Sequence, residues 1–251
     1  MKRYFRIVIL MLLFAVPVYS ADVVVGIRDN MAASYPPYII IDEKGNYSGI
    51  AYDVVKKVIE NSGDRMVPRK MPNIRIIKGI SSKEIDIDPF SNEMWREKYS
   101  DISIYSLPYA VTQNNFIFRK GEKRNIKNIE DLRGMKVGTV KGYGYSFWED
   151  AFSKGIAKKT DSKDDAMIFE MLDMKRVDLI MANYELAEYM IKKKKYDFEI
   201  GNRLHEKPIE IKFRYNIKDK KMQQKYDIEL KKMLNNGEIE EIFKKYGVTH
   251  K

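Results

Sequence analysis

Short β-branched runs alternate along this chain with stretches whose apolar residues recur at helical spacing, the pattern of an α/β protein. Val23–Ile27 predicts a first strand, followed by the loop Ser34-Tyr35-Pro36-Pro37-Tyr38. Ile50 to Asn61 carries Val54, Val55, Val58 and Ile59 on one helical face, and Gly63 is placed to stop it. Ile85–Asp88 and Phe116–Arg119 read as short strands. From about Asn125 a second unit begins. Asn128 is suited to cap a short helix Ile129–Arg133 and Gly134 to end it. Lys136–Val140 is then a strand, Gly142-Tyr143-Gly144 a tight loop and Tyr145–Phe152 a helix. Residues 164–175 predict another helix, with Met167, Met171 and Met174 in its apolar stripe as core filler. Val177–Ala182 reads as a buried strand, Tyr184–Lys193 as a helix and Ile211–Ile217 as a strand. Two last helices, Lys221–Leu234 and Glu238–Tyr246, are separated by Asn236-Gly237.

The N-terminus has a different pattern. Lys2, Arg3 and Arg6 precede the apolar run Ile7 to Val16, and Val18 and Ser20 put small residues at −3 and −1 of a cleavage site before Ala21. The run is well short of the about 20 residues that a spanning helix needs. A cleaved signal peptide over residues 1–20 is expected, leaving a soluble protein. Its removal takes three positive charges, so the net charge of +10 falls to +7. A basic chain could bind nucleic acid, but export argues against that partner. The run Lys192 to Lys195 suits the end of a helix, where cations complement the dipole. The absence of cysteine removes disulfides and a lipidated N-terminus. Two histidines, His205 and His250, lie far apart, which gives no metal site and no cofactor to expect.

Read in order, several segments resemble the bacterial extracellular solute-binding proteins of family 3. They are Tyr35-Pro36-Pro37-Tyr38, Gly45-Asn46-Tyr47-Ser48-Gly49, Ile85-Asp86-Ile87-Asp88 with Arg96 downstream, and Tyr105-Ser106-Leu107-Pro108-Tyr109. In the second unit Asp131 to Gly138, Lys141-Gly142, Val177-Asp178-Leu179-Ile180 and the closing Gly237…Lys245-Tyr246-Gly247 continue the likeness. The resemblance implies a type II periplasmic-binding-protein fold, with two α/β lobes joined by two hinge strands. Lobe 1 would take residues 21–111 and 208–251, and lobe 2 residues 112–207. A small ligand would sit in the cleft between lobes and be buried by hinge closure. The implied setting is a monomeric periplasmic receptor that serves the membrane permease of an ABC importer or a membrane sensor.

The resemblance also implies a site. Arg96 stands where the family's arginine pairs with a ligand α-carboxylate, and its planar fork suits two carboxylate oxygens. Ser91 stands where relatives carry a hydroxyl beside that carboxylate, and Tyr35 where an aromatic ring stacks on the ligand. Ile50 replaces a residue often aromatic in relatives. Glu93 falls three residues before Arg96, so it either holds the guanidinium or competes for it. Backbone N–H groups around Tyr143 and Gly144 offer an anion contact, although an ordinary strand-to-helix turn reads the same way. Asn183 falls where amino-acid receptors usually place an aspartate for the ligand ammonium, and it is equally suited to cap a helix. Either Glu185 supplies the missing charge, or the ligand is a carboxylate without an obligatory α-amine. Two other functions stay open. One is a dehydratase on the same fold, with Glu93, Glu185, Asp86 or Asp88 as acid and Asp86 and Asp88 on one strand face. The other is a receptor domain for a protein partner.

Overall fold

The computed structural model describes residues 20–28, 35–141, 143, 145, 148–205 and 207–248. The expected signal segment lies outside them except for Ser20, and so do Gly142, Gly144 and His250. In strand β1 (Asp22–Arg28), Val23, Val25 and Ile27 are fully buried at alternate positions, as a period of two requires. A short hairpin of β2 (Ile40–Ile41) and β3 (Tyr47–Ser48) leads into helix α1 (Ile50–Asn61). Its face of Ile50, Ala51, Val54, Val55, Val58 and Ile59 is buried. The chain returns in β4 (Arg65–Met71), parallel to β1 from Asp22 opposite Arg65 to Arg28 opposite Met71. Sequence patterning misses β4 because only Met71 of its seven residues is buried and Pro68 interrupts it, both features of an edge strand.

Helix α2 (Asn73–Ser82) precedes β5 (Asp88–Ser91), whose four residues are all buried. The strand expected over Ile85–Asp88 is thus displaced by three residues. Ile85 and Ile87 are core side chains before it, with Ile87 bridging Val25 of β1. Asp86 is held apart from Asp88, its carboxylate accepting from the Val24 N–H at 2.8 Å. A 3₁₀ stretch, Met94–Ile102, leaves helical backbone values at Arg96 and Tyr99 and then enters β6 (Ser103–Tyr105).

From β7 (Ala110–Thr112) the chain crosses into a second sheet through β8 (Asn114–Arg119). Asn128 caps the turn Ile129–Leu132 as expected, accepting from Glu130 N–H while Asp131 accepts from Asn128 N–H. Next come β9 (Lys136–Val140), α3 (Glu149–Ser153), β10 (Lys158–Ser162), α4 (Asp165–Asp173), β11 (Leu179–Asn183), α5 (Tyr184–Lys194) and β12 (Phe198–Arg203). Their strands form one sheet in the order β10-β9-β11-β8-β12, parallel through β9, β10 and β11 and antiparallel at β8 and β12. Met171 packs in the core, but Met174 is exposed beyond the end of α4 rather than in its stripe. Lys192, in the basic run ending α5, donates to the Gly247 carbonyl at 3.0 Å.

Strand β13 (Ile209–Asn216) brings the chain back and pairs with β5, β6 and β7. Helices α6 (Lys220–Asn235) and α7 (Glu238–Lys245) then cover the first unit, packing on α1. The fold is therefore two α/β lobes: the second holds the five-stranded sheet, and the first holds β1 with β4, β13 with β5, β6 and β7, and the β2–β3 hairpin. The two connecting strands lie side by side, with Thr112 opposite Ile209 and Ala110 opposite Ile211. Among the described residues no helix is long and apolar enough to cross a membrane, and no cluster of His, Asp or Glu could hold a metal ion.

Candidate functional site

Strand β5 supplies the backbone of one wall. Its antiparallel pairing with β13 sets Ser91 opposite Lys212 and Asp88 opposite Arg214. The non-helical backbone at Arg96 turns that side chain inward, where Nη2 lies 3.7 Å from Asp88 Oδ2 and Nη1 donates to the Trp95 carbonyl at 3.1 Å. Arg96 Nε and Ser91 Oγ are buried and have no partner among the described residues. Burial pulls the Arg96 guanidinium below its ordinary pKa, the Asp88 charge opposes that, and the nearby Arg28 and Arg214 charges add to it. Glu93 does not hold this guanidinium. Because Arg96 points inward, the half-exposed Glu93 carboxylate pairs with Lys212 at 2.8 Å instead.

Arg28, the last residue of β1, joins the same wall, and the sequence reading passed over it. Its Nη2 donates to the Phe90 carbonyl at 2.8 Å, and its guanidinium lies over the Phe90 ring at 5.1 Å. Tyr35 closes the aromatic side, with ring centroids 5.3 Å from Phe90 and 6.3 Å from Tyr38. Ile50 is enclosed in the core at the start of α1, fully buried. The one sequence signal for Arg28 was a cation ending an otherwise apolar strand.

The second lobe presents acids and a tyrosine. Tyr143 Oη donates to Asp165 Oδ2 at 2.8 Å. Asp165 opens α4 and is buried; desolvation pushes its pKa up to about 6, against the Tyr143 hydrogen bond and the positive charge of Arg28. Arg28 ends β1 and Asp165 opens α4, and the charge of one acts on the other, so these two elements from different sheets approach one another here. Asn183 ends β11 and caps α5, its Oδ1 accepting from Leu186 N–H at 3.1 Å. Its Nδ2 donates to Thr112 Oγ1, and that hydroxyl donates to Glu185 Oε2. Burial pushes the pKa of Tyr35 and Tyr38 well above the usual phenol value; at Tyr38 the charge of the buried Glu185 adds to this next, and at Tyr35 the charge of Asp165 does, with Glu185 a smaller contributor. Of the residues singled out in the sequence, Arg96, Ser91 and Tyr35 gather about β5, while Tyr143 and Asn183 stand in the second lobe. Gly144 lies outside the described residues.

The sequence model of the bacterial extracellular solute-binding proteins, family 3, matches residues 27–249. The L-cystine-binding protein TcyJ of Escherichia coli (strain K12) is 25% identical over 165 residues, which are 65% of this chain and 60% of that protein. The chain thus matches less than two thirds of that relative's length. Among solved structures, an ancestral arginine-binding protein bound to arginine superposes with a TM-score of 0.75 at 21% identity, over 90% of this chain and 97% of the other. An ancestral amino acid-binding protein, AncCDT-1, described as a precursor of cyclohexadienyl dehydratase, gives a TM-score of 0.72 at 20% identity, over 90% and 95%. These likenesses are of fold, the type II periplasmic-binding-protein architecture.

Proposed function

This chain belongs to the bacterial extracellular solute-binding proteins of family 3, and we propose that it captures an amino acid or related carboxylate for the membrane permease of an ABC importer. In this reading lobe 1 is residues 21–111 with 208–251, lobe 2 is residues 112–207, and the protein is a periplasmic monomer freed by cleavage after Ser20. The observation that carries it is the pair of buried donors Arg96 Nε and Ser91 Oγ, which have no partner among the described residues. Buried donors left unpaired are costly, and a carboxylate satisfies both. Tyr35 and Phe90 would flank the ligand, Tyr143 and Asp165 would meet it from lobe 2, and the TcyJ likeness makes cystine one ligand to test. Asn183 is occupied as a helix cap, so the ligand's ammonium, where it has one, would turn to Asp165 or Glu185.

Asp165 also favours a second reading, since a carboxyl group with its pKa raised to about 6 is a poised acid of the kind a dehydratase uses. One experiment separates the two. Ligand retained by the purified protein is identified by mass spectrometry and its affinity measured by calorimetry. Recovery of an unchanged carboxylate supports capture, and an altered product after prolonged incubation supports catalysis. Arg96→Gln is expected to weaken binding by about 2–5 kcal/mol, the cost of truncating a buried charged partner. Unchanged affinity would remove the site assignment.

A further inference from the structure

We propose that the cleft contains a second anion subsite, built on Arg28, and that its preferred ligand carries two acidic groups. This narrows the carboxylate-capture reading and rests on it. Arg28 is 7% exposed, as buried as Arg96. A guanidinium this far from water needs charge-assisted partners. Among the described residues it has one acceptor, the Phe90 carbonyl, and its Nε has none. None of the described carboxylates lies within 4 Å of it, whereas Arg96 at least has Asp88. A neutral carbonyl and the face of Phe90 compensate only part of a full charge.

The two guanidiniums share a wall. Arg28 reaches Phe90 and Arg96 reaches Asp88, which are alternate residues of β5 and so stand about 7 Å apart along the strand. Each feels the other's charge, and a third buried guanidinium, Arg214, stands on β13 with Nε on Ser103 Oγ and Nη1 on the Ile77 carbonyl. Against three cations this wall offers Asp88. The facing acids are already engaged, Asp165 by Tyr143 and Glu185 by Thr112. A monocarboxylate on Arg96 and Ser91 would leave Arg28 with the more distant charge of Asp165 and no carboxylate in contact. A second acidic group, held a short chain away, would supply it, and the matching amide would offer Arg28 an acceptor but no charge.

Calorimetry on the intact chain with matched pairs tests this: glutamate against glutamine, aspartate against asparagine, and succinate against succinamate. At least one diacid is expected to bind tenfold or more tighter than its amide. Arg28→Gln is expected to weaken that diacid at least tenfold and leave the amide within threefold, while Arg96→Gln weakens both. Arg28→Lys, which keeps the cation, should keep the preference at reduced affinity. Amides that bind as tightly as their diacids overturn the second subsite on the unaltered protein, whatever the variants do to folding. So does an Arg28→Gln effect equal on both members of a pair. If neither member of any pair binds, the second subsite falls, and the carboxylate-capture reading is decided separately by the ligand retained on the purified protein.

Discussion

Arg96 Nη2 stands 3.7 Å from Asp88 Oδ2, and the aspartate side chain has no exposure at all. Asp88 is the counter-charge that lets a guanidinium turn inward with Arg28 and Arg214 nearby. Its other oxygen accepts from the Phe90 N–H at 3.3 Å, so one carboxylate fixes both the strand and the arginine. Asp88→Asn is therefore expected to cost about 3–5 kcal/mol of stability, as removal of one member of a buried pair does. Urea unfolding at neutral pH measures it. A loss below about 1 kcal/mol, the level of an exposed pair, would show the contact is not holding Arg96.

Arg96→Lys separates charge from shape. The ammonium keeps the positive charge but loses the planar fork that meets two carboxylate oxygens. Affinity for the retained carboxylate should fall at least tenfold, about 1.4 kcal/mol, with Asp88 still paired and the unfolding midpoint of the empty protein little changed. Calorimetry together with a melting curve checks both halves.

Asp165 gives stability a pH dependence of definite sign. Folded, its carboxyl group binds a proton with a pKa of about 6, against 3.8 for the unperturbed group. Between these values the folded state holds more protons than the unfolded state, so this group makes stability fall as pH rises from about 4 to 6. The full effect is on the order of 3 kcal/mol, present as destabilisation above pH 6 and absent below pH 4. Asp165→Asn keeps an acceptor for Tyr143 and removes the titration. Relative to the unaltered protein it should gain stability across that window and be no more stable at pH 3.5. Unfolding curves of the ligand-free protein at pH 3.5, 5 and 7 decide the matter, and a constant difference would refute the assignment.

Two glycines before α1 differ in what they tolerate. Gly49 has φ +115, and a Cβ there would lie 2.4 Å from the Tyr38 carbonyl oxygen, a backbone atom with no freedom to move aside. Gly45 has φ +83, but a Cβ would meet nothing within 4 Å. Gly45→Ala should cost about 1–2 kcal/mol from backbone strain alone. Gly49→Ala should cost more, since the clash adds to the strain, and it would disturb the Tyr38 and Tyr35 side of the cleft. Comparing the two melting temperatures tests the difference.

Much of the fold was legible because local periodicity and burial agree. The core face of α1, strand β9, the Asn128 cap and the last two helices sit where spacing puts them. The elements that escaped are those without a local signal. Strand β4 is an edge with one buried residue, and β5 begins where the β-branched run ends, because its Asp, Pro and Ser are buried by tertiary contacts. The site divides the same way. Arg96 carried a motif, but the Glu93 pairing could not be read from i,i+3 spacing once the backbone left the helix at Arg96. Arg28 and Asp165 carried no motif, and they matter only because the fold brings the end of β1 and the start of α4 toward one another.

The chain leaves the first sheet at Thr112 and re-enters at Ile209, residues that are cross-strand partners. In topological terms the whole central segment is a detour whose entrance and exit touch. A turn of a few residues could bridge that doorway and close lobe 1 on itself. The shared threshold also carries a wire: Thr112, on the crossing strand, is bonded to both Asn183 and Glu185. Those bonds tie the crossing strand to the start of α5, so the doorway is fastened to the second lobe at its threshold.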